Sequence, residues 1–270
     1  MIISACSDEI SQDLPTALDV LEREGIHHVD LRGVWGKNVV GLSDEEAAAA
    51  RKLIKDRGFT VTAISPPVGK TKITDDFAFE EGRFKRAIEL ARLFETRYIR
   101  VFSFFADEDE AVRYRDEALR RLRVFSEMAR PHGIILAHEN EEAGFCAWRP
   151  DECLAFHREL PANFQALFEP CSFVVVNYDP YEDALPLLHP YIAYLHVRDT
   201  RRGSTEYGVV GEGDARWRDI LQDLKRHGFT GTLTLEPHLG WGQQETTDQM
   251  RMADFVRAAA ALRETLASLD

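Results

Sequence analysis

The chain has 270 residues, enough to bury the core of one large barrel or of two small domains. Acidic residues outnumber basic ones by 46 to 33, the formal net charge is −13, and no block of lysine or arginine stands out. This balance disfavours duplex DNA or an anionic membrane as a partner, because both attract basic surfaces.

Cysteine usage and hydropathy bear on the compartment. The four cysteines form neither a C-x-x-C pair nor a dense framework, so a reducing cytoplasm is the simplest setting. The N-terminus lacks a basic segment followed by a long apolar stretch, and no segment approaches the roughly 20 apolar residues that cross a bilayer. We therefore expect an unprocessed cytoplasmic protein with no membrane or nucleic-acid partner.

The beginning of the chain shows an alternation of predicted strands and helices that later segments repeat. Residues 2–6 are typical of a buried strand, and residues 11–24 predict a helix with leucines at helical spacing. Gly25 can adopt the left-handed conformation that ends a helix, and residues 26–31 then read as a second strand. A strand, a helix and a glycine that leads into the next strand together make one βα unit.

The same junction recurs along the chain. Ser43 and Glu46 form the capping box of a second helix, which a glycine ends before the third strand. This recurrence is typical of parallel βα units and not of hairpins. The four junctions are Gly25-Ile26, Gly58-Phe59, Gly133-Ile134 and Gly228-Phe229.

The remaining segments complete eight alternating units. Further strands are predicted at residues 59–64, 98–102, 133–140, 164–169, 192–199 and 232–238, and further helices at 80–94, 107–132, 150–160, 180–189, 217–227 and 249–268. Eight units in about 250 residues predict an α/β fold, a single (β/α)8 TIM barrel over residues 1–270. An open doubly wound sheet is the alternative, but residues 4–10 contain no glycine-rich phosphate loop after the first strand.

Four chemically active side chains stand where the last four strands end: Glu139, Glu169, His196 and Glu236. The carboxyl ends of neighbouring parallel strands meet at one rim of a barrel, so we expect these side chains to lie together. Three carboxylates placed side by side repel one another unless a divalent cation lies between them. The sequence therefore predicts a metal site on this rim.

Three oxygen donors and one imidazole form a hard donor set. Such a set suits one divalent ion, Mn²⁺ first and Mg²⁺ or Co²⁺ as alternatives, with positions left for substrate oxygens. Any one of these groups taken singly is equally well a strand-end side chain that bonds to a neighbouring loop. The recurrence on consecutive strands is what favours the metal site.

Several short motifs resemble the sugar phosphate isomerase/epimerase family, whose xylose isomerase-like barrel is shared with endonuclease IV. The motifs are HEN at 138–140, FEP at 168–170, PYIAYLHVRD at 190–199, GEGDARW at 211–217 and LEPH at 235–238. The resemblance covers nearly the whole chain. It implies that Glu139, Glu169, His196 and Glu236 hold one divalent metal, and that Glu139 and Glu236 are also an acid/base pair. Homo-oligomers are frequent in the family, so the resemblance implies that this chain is a possible homo-oligomer.

The chain also departs from the family pattern. Family members commonly have Asp where Glu169 stands, and the ketose 3-epimerases have a substrate-binding His at the position of Ser172 and a Glu at that of Phe145. Arg202, six residues beyond His196, matches a substrate-contacting Arg of those epimerases.

The chemistry of such a site allows two reactions on a sugar-like hydroxycarbonyl compound. A divalent cation that holds a carbonyl and the adjacent hydroxyl acidifies the C–H between them, and two carboxylates can then remove and return a proton, as in an isomerase or epimerase. If the second carboxylate instead protonates a leaving hydroxyl, the enzyme is a dehydratase of a cyclic hydroxyketone such as an inosose or dehydroshikimate. A non-catalytic barrel that binds a sugar-like ligand is a third reading.

Other charged residues fall near the predicted rim. Arg198 and Arg202 are candidates for binding a substrate anion, or else for salt-bridging within a loop. Arg100 would be costly to bury without an anion, so it meets either Glu139 or the substrate. His238 is a candidate for a substrate contact or for a hydrogen bond that supports the site.

Overall fold

The computed structural model of the protein describes residues 1–106, 108–204, 206–240 and 246–269. Eight parallel strands close into a barrel in which each strand pairs with the next along the chain and the last pairs with the first. The strands are β1 (Ile2–Cys6), β2 (His28–Leu31), β3 (Thr60–Ile64), β4 (Tyr98–Val101), β5 (Ile135–Glu139), β6 (Phe164–Phe168), β7 (Ile192–Val197) and β8 (Thr232–Leu235). The predicted (β/α)8 barrel is confirmed.

Helices surround this barrel. Within the described residues they are α1 (Leu14–Arg23), α2 (Asp44–Asp56), α3 (Phe77–Leu93), α4 (Arg115–Ala129), α5 (Pro150–Glu159), α6 (Pro170–Val175), α7 (Leu185–Leu188), α8 (Trp217–Arg226) and α9 (Asp248–Ala267). The described part of the chain contains no helix that is both long enough and apolar enough to cross a membrane.

Local sequence signals account for the helix ends. The Ser43 side chain accepts a hydrogen bond from the Glu46 N–H while Glu46 accepts one from the Ser43 N–H, so the predicted capping box is present. The four junction glycines have φ between +63° and +77°, the left-handed region that favours glycine. The sequence had located these glycines as the points where helices turn back into strands.

Three helical segments differ from the sequence prediction. The helix predicted at 107–132 is α4 flanked by tight 3₁₀ turns at Glu108–Tyr114 and Arg130–His132, and residue 107 lies outside the described residues. The helix predicted at 180–189 is a wide turn at Pro180–Ala184 followed by the short α7, because prolines in this segment lack the N–H that a regular helix needs. Helix α6 was missed, since six residues are too few for a recognisable period.

The core has two parts. The larger lies between the strands and the surrounding helices, and a smaller cluster fills the barrel interior away from the strand ends, where the rings of Tyr98 and Tyr194 pack 5.5 Å apart. Because strand side chains alternate, the residue before Glu139 points outward into the larger core. There the His138 ring stacks on Phe164 at 5.2 Å, as the sequence alternation predicted.

His138 makes the stability of the fold sensitive to acid. Burial lowers the pKa of His138 to about 3, so the unfolded chain, with an ordinary pKa of about 6.5, binds its proton first as the pH falls. The stability contributed by neutral His138 is therefore complete above about pH 6.5 and is lost progressively toward pH 3.

We predict that His138→Gln flattens the acid dependence of stability. Between about pH 6 and pH 4, the free energy of unfolding of the unmodified protein should fall more steeply than that of the variant, by at most about 1.4 kcal/mol per pH unit. Urea unfolding at a series of pH values measures this difference. His132→Gln, at an exposed position, is the matched control and should leave the slope unchanged; equal slopes for His138→Gln and the unmodified protein would contradict the prediction.

Candidate metal centre

The four predicted ligands converge at the carboxyl ends of β5 to β8. One side-chain ligand atom from each residue lies within 4.8 Å of those from the other three, and all four residues are buried. Glu139 and His196 lie within β5 and β7, whereas Glu169 and Glu236 come directly after β6 and β8. The strand order expected from the sequence accounts for this convergence; metal binding by the four residues stays a prediction.

His196 lies at the centre of this cluster. Its Nδ1 is 2.8 Å from Glu139 Oε1 and 3.1 Å from Glu236 Oε2. Its Nε2 faces the other way, toward Asp30 Oδ2 at 3.8 Å. Burial lowers the pKa of His196, but the charges of Glu236 and Glu139 outweigh burial and raise that pKa well above its usual value. By these distances, Nδ1 is the nitrogen directed at Glu139 and Glu236, and Nε2 is directed at Asp30.

Two arginines hold the flanking carboxylates. Arg100 Nη1 lies 3.1 Å from Glu139 and 3.6 Å from Glu236, and Arg32 Nη1 lies 2.6 Å from Glu236. Burial raises the pKa of Glu139, but His196 and Arg100 outweigh it and lower the pKa to about 2. The pKa of Glu236 is also well below its usual value, since the charge of His196 overcomes the effect of burial. Both side chains are thus carboxylates at neutral pH.

Glu169 is oriented differently from the other three. Its Oε2 accepts a hydrogen bond from Arg198 Nε at 2.8 Å, and its Oε1 accepts one from the Cys171 N–H at 2.7 Å, which caps α6. Burial raises the pKa of Glu169 to about 7 despite the neighbouring Arg198. The Glu169 carboxylate therefore bridges the start of α6 and the arginine.

Asn140 ties two of the candidate ligands together through the backbone. Its side-chain Nδ2 donates to the Glu169 carbonyl at 2.8 Å, and the Glu169 N–H donates back to Asn140 Oδ1 at 2.9 Å. The side-chain amide therefore extends the pairing of β5 with β6 beyond the last residue of β6. Sequence reasoning gave Asn140 no role, although its position directly after Glu139 was a usable signal.

Acidic groups outnumber cationic ones at this rim. Around the cluster, buried or nearly buried carboxylates are twice as numerous as guanidinium groups, within the part of the chain that the structure describes. The carboxylates are Asp8, Glu9, Asp30, Glu139, Glu169 and Glu236, and the guanidinium groups are those of Arg32, Arg100 and Arg198. Three carboxylates and an imidazole with converging ligand atoms fit a hard divalent cation.

A cleft of about 240 Å³ opens over the cluster. It is lined by Arg32, Lys70, Arg100, Glu139, Glu141, Glu142, Arg198, Tyr207, Glu236 and His238. Of the predicted substrate-binding residues, Arg100, Arg198 and His238 therefore border the cleft. Arg202 does not line it: its side chain is exposed, and it borders a separate cavity of about 440 Å³ near Trp217.

The cleft residues are also bound to one another. Arg198 lies 4.8 Å from the Tyr207 ring centroid, and His238 Nδ1 lies 2.9 Å from Glu9 Oε1. Lys70 forms an ion pair with Glu141 across the opening. Sequence reasoning missed Tyr207, which carries no motif of its own, and Glu9, which lies far along the chain from His238.

The chain belongs to the family of xylose isomerase-like TIM barrels, whose model matches residues 18–263. No curated protein matches by sequence. The similarity to solved structures is close in fold, although low in sequence identity.

Three solved structures illustrate the similarity. A D-tagatose 3-epimerase-like protein superposes with a TM-score of 0.80 at 17% identity, covering 100% of this chain and 98% of its own. A probable 3-DHS dehydratase, AsbF of Bacillus anthracis, gives 0.77 at 17% identity, covering 97% and 99%. The IOLI protein, solved with a bound zinc atom, gives 0.77 at 14% identity, covering 100% and 98%.

We predict one divalent ion per chain at the four-residue cluster. Protein reconstituted with Mn²⁺ and then gel-filtered should retain one equivalent of metal, measured by mass spectrometry of the eluted protein. Glu139→Gln should lose it, because the change removes a buried ligand charge. Glu141→Gln, two residues along and paired with Lys70 at the opening, is the matched control and should keep it. Equal metal content in the two variants would contradict the site.

Proposed function

We propose that the protein is a divalent-metal-dependent isomerase or epimerase of a sugar or similar hydroxycarbonyl compound. The observation that carries this proposal is the pair of carboxylates, Glu139 and Glu236, that approach the same nitrogen of His196 at 2.8 and 3.1 Å and border one cleft. The family of the chain and its similarity to a D-tagatose 3-epimerase-like structure support the reaction class. We further propose that residues 1–270 act as one domain.

In this proposal Glu139, Glu169, His196 and Glu236 hold the metal, Mn²⁺ first, and the zinc atom of the IOLI structure supports a divalent ion. The bound ion supplies the positive charge that acidifies a C–H bond next to a carbonyl group. Glu169 would hold the ion through one of its oxygens, and doing so would weaken its hydrogen bond from Arg198. Arg198 is then free to bind an anionic or hydroxyl group of the substrate.

The two flanking carboxylates exchange the proton. Glu139 removes it as a base, and Glu236, which is ionised in the free protein, takes up a proton from solvent and returns it from the other side; the roles reverse in the opposite direction. Their strands are separated by β6 and β7, which supports an approach from two sides. Arg100, within 3.1 Å of Glu139 and 3.6 Å of Glu236, keeps the base ionised.

A dehydratase acting on a cyclic hydroxyketone is the second candidate. Phe145 and Ser172 stand where ketose 3-epimerases have a Glu and a substrate-binding His, so a free ketose would lack the contact to that His. The cleft instead carries Arg32, Lys70 and Arg198, which suits a substrate with a carboxylate. The fold similarity to the probable 3-DHS dehydratase supports this reading equally well.

One assay separates the two reactions. Mn²⁺-loaded protein is incubated in D₂O with a panel of ketoses, sugar phosphates, inososes and dehydroshikimate. An isomerase or epimerase gives a new isomer that carries deuterium at the reacting carbon, seen by NMR, whereas a dehydratase gives a conjugated double bond, seen by ultraviolet absorption. Metal binding without turnover of any compound would reject both reactions and leave a binding protein.

We predict that Glu236→Gln abolishes turnover while the fold persists. The change removes both a ligand charge and a proton carrier, so kcat should fall by roughly 10³-fold or more, the range of general acid–base catalysis. Steady-state kinetics on the substrate identified above measures it, with circular dichroism as the check on folding. Glu142→Gln borders the same cleft outside the four-residue cluster and serves as the control. Near-normal turnover in Glu236→Gln would exclude the two-carboxylate mechanism.

A further inference from the structure

Asp30 is a buried carboxylate that the proposed reaction does not use. It lies on β2, has no exposed surface, and neither of its oxygens has a hydrogen-bond partner within the described residues. Burying a carboxylate in this way costs several kcal/mol unless something compensates. A neutral side chain of the same size would fill this space with a smaller desolvation penalty. The carboxylate therefore points to a function.

Asp30 faces the His196 imidazole, and the buried Cys6 thiol lies within 4.8 Å of both groups. Asp30 Oδ2 lies 3.8 Å from His196 Nε2, and that nitrogen also lacks a hydrogen-bond partner among the described residues. The nearby guanidinium groups are directed elsewhere: Arg32 binds Asp8, Glu9 and Glu236, and Arg100 binds Glu139 and the Ser65 carbonyl. The imidazole thus lies between Asp30 on one side and the ligand cluster on the other.

We propose that Asp30 is a positioning residue that accepts the Nε2 proton of His196 and so directs the Nδ1 lone pair at the metal. This inference rests on the proposed metal site. A neutral imidazole offers one nitrogen to a metal and keeps its proton on the other, and a carboxylate that holds this proton fixes both tautomer and ring orientation. Since 3.8 Å exceeds a hydrogen bond, the two groups approach by about 1 Å in the metal-bound state.

The first test is the affinity for Mn²⁺, measured by competition with a chelator. Asp30→Asn should weaken binding by about 10- to 100-fold, the range for groups that support a metal ligand. Thr234→Val is the matched control: Thr234 is buried, pairs in register with His196 on the next strand, and its hydroxyl is without a partner among the described residues. We expect that control to stay within about twofold, well below the change for Asp30→Asn.

A measurement of stability separates positioning from a purely structural role. Asp30→Asn removes a counter-charge 3.8 Å from His196, so without metal the variant should have a somewhat lower Tm than the unmodified protein. The increase in Tm on adding Mn²⁺ should also be smaller for the variant, because that increase follows the affinity. A variant that is destabilised without metal and keeps the full Mn²⁺ affinity would overturn the proposal.

NMR spectroscopy reports the tautomer of His196 directly. In ¹⁵N-histidine-labelled protein loaded with Zn²⁺, His196 should carry its proton on Nε2, with a downfield proton resonance that moves upfield in Asp30→Asn. His196→Asn identifies the resonance by its loss. A proton on Nδ1, with Nε2 bound to the metal, would overturn the proposal.

These outcomes are distinct from those that test the reaction. Metal binding without turnover, together with a weakened Asp30→Asn variant, would reject the proposed reaction and support the role of Asp30. Turnover with unchanged Mn²⁺ affinity in Asp30→Asn would reject only the role of Asp30. A protein that binds no divalent cation would reject both.

Discussion

Excess negative charge at one end of the barrel is the constraint on which the rest of the site depends. Glu139, Glu169 and Glu236 are nearly or fully buried within a few ångströms of one another, which is unfavourable without cations. The structure distributes three arginines among these carboxylates and places a protonated imidazole at their centre. The arginines reduce the repulsion without removing it, because Asp8, Glu9 and Asp30 add three more carboxylates close to the cluster, within the described residues. A divalent cation is the natural counter-charge for such an arrangement.

Much of the fold was readable from the sequence because its signals are local. A glycine after each of four helices, a capping box at Ser43 and apolar runs of strand length together specify the alternation of strands and helices. The convergence of the four candidate ligands followed from topology alone, since parallel strands that are consecutive in a barrel end side by side. Long irregular connections were less readable: where prolines are closely spaced, as at 180–190, periodicity cannot distinguish a regular helix from a wide turn.

The partners of the charged groups could not be predicted in this way. Which carboxylate Arg198 binds depends on how far two side chains reach across neighbouring strands, and in the structure that carboxylate is Glu169. The same holds for Asp30, which the sequence shows only as a polar residue inside an apolar strand. Arg202 illustrates a related limit, because matching a family position by its distance from His196 does not show that the loop carries the residue to the border of another cavity. Spacing along the chain predicts where the backbone of a residue lies. Which side chains pair depends on the tertiary structure.

The amide of Asn140 has a consequence for the size of ion that the site accommodates. Two hydrogen bonds join it to the backbone of Glu169, so the main chains that carry Glu139 and Glu169 keep a fixed separation. On the opposite side Glu236 follows the end of β8 and is held through its side chain by Arg32. In the proposed metal site, an ion of larger or smaller radius would therefore be matched by rotation of side chains and not by spreading of β5 from β6. The separation of the main chains at Glu139 and Glu169 is thus fixed, and the side chains adjust.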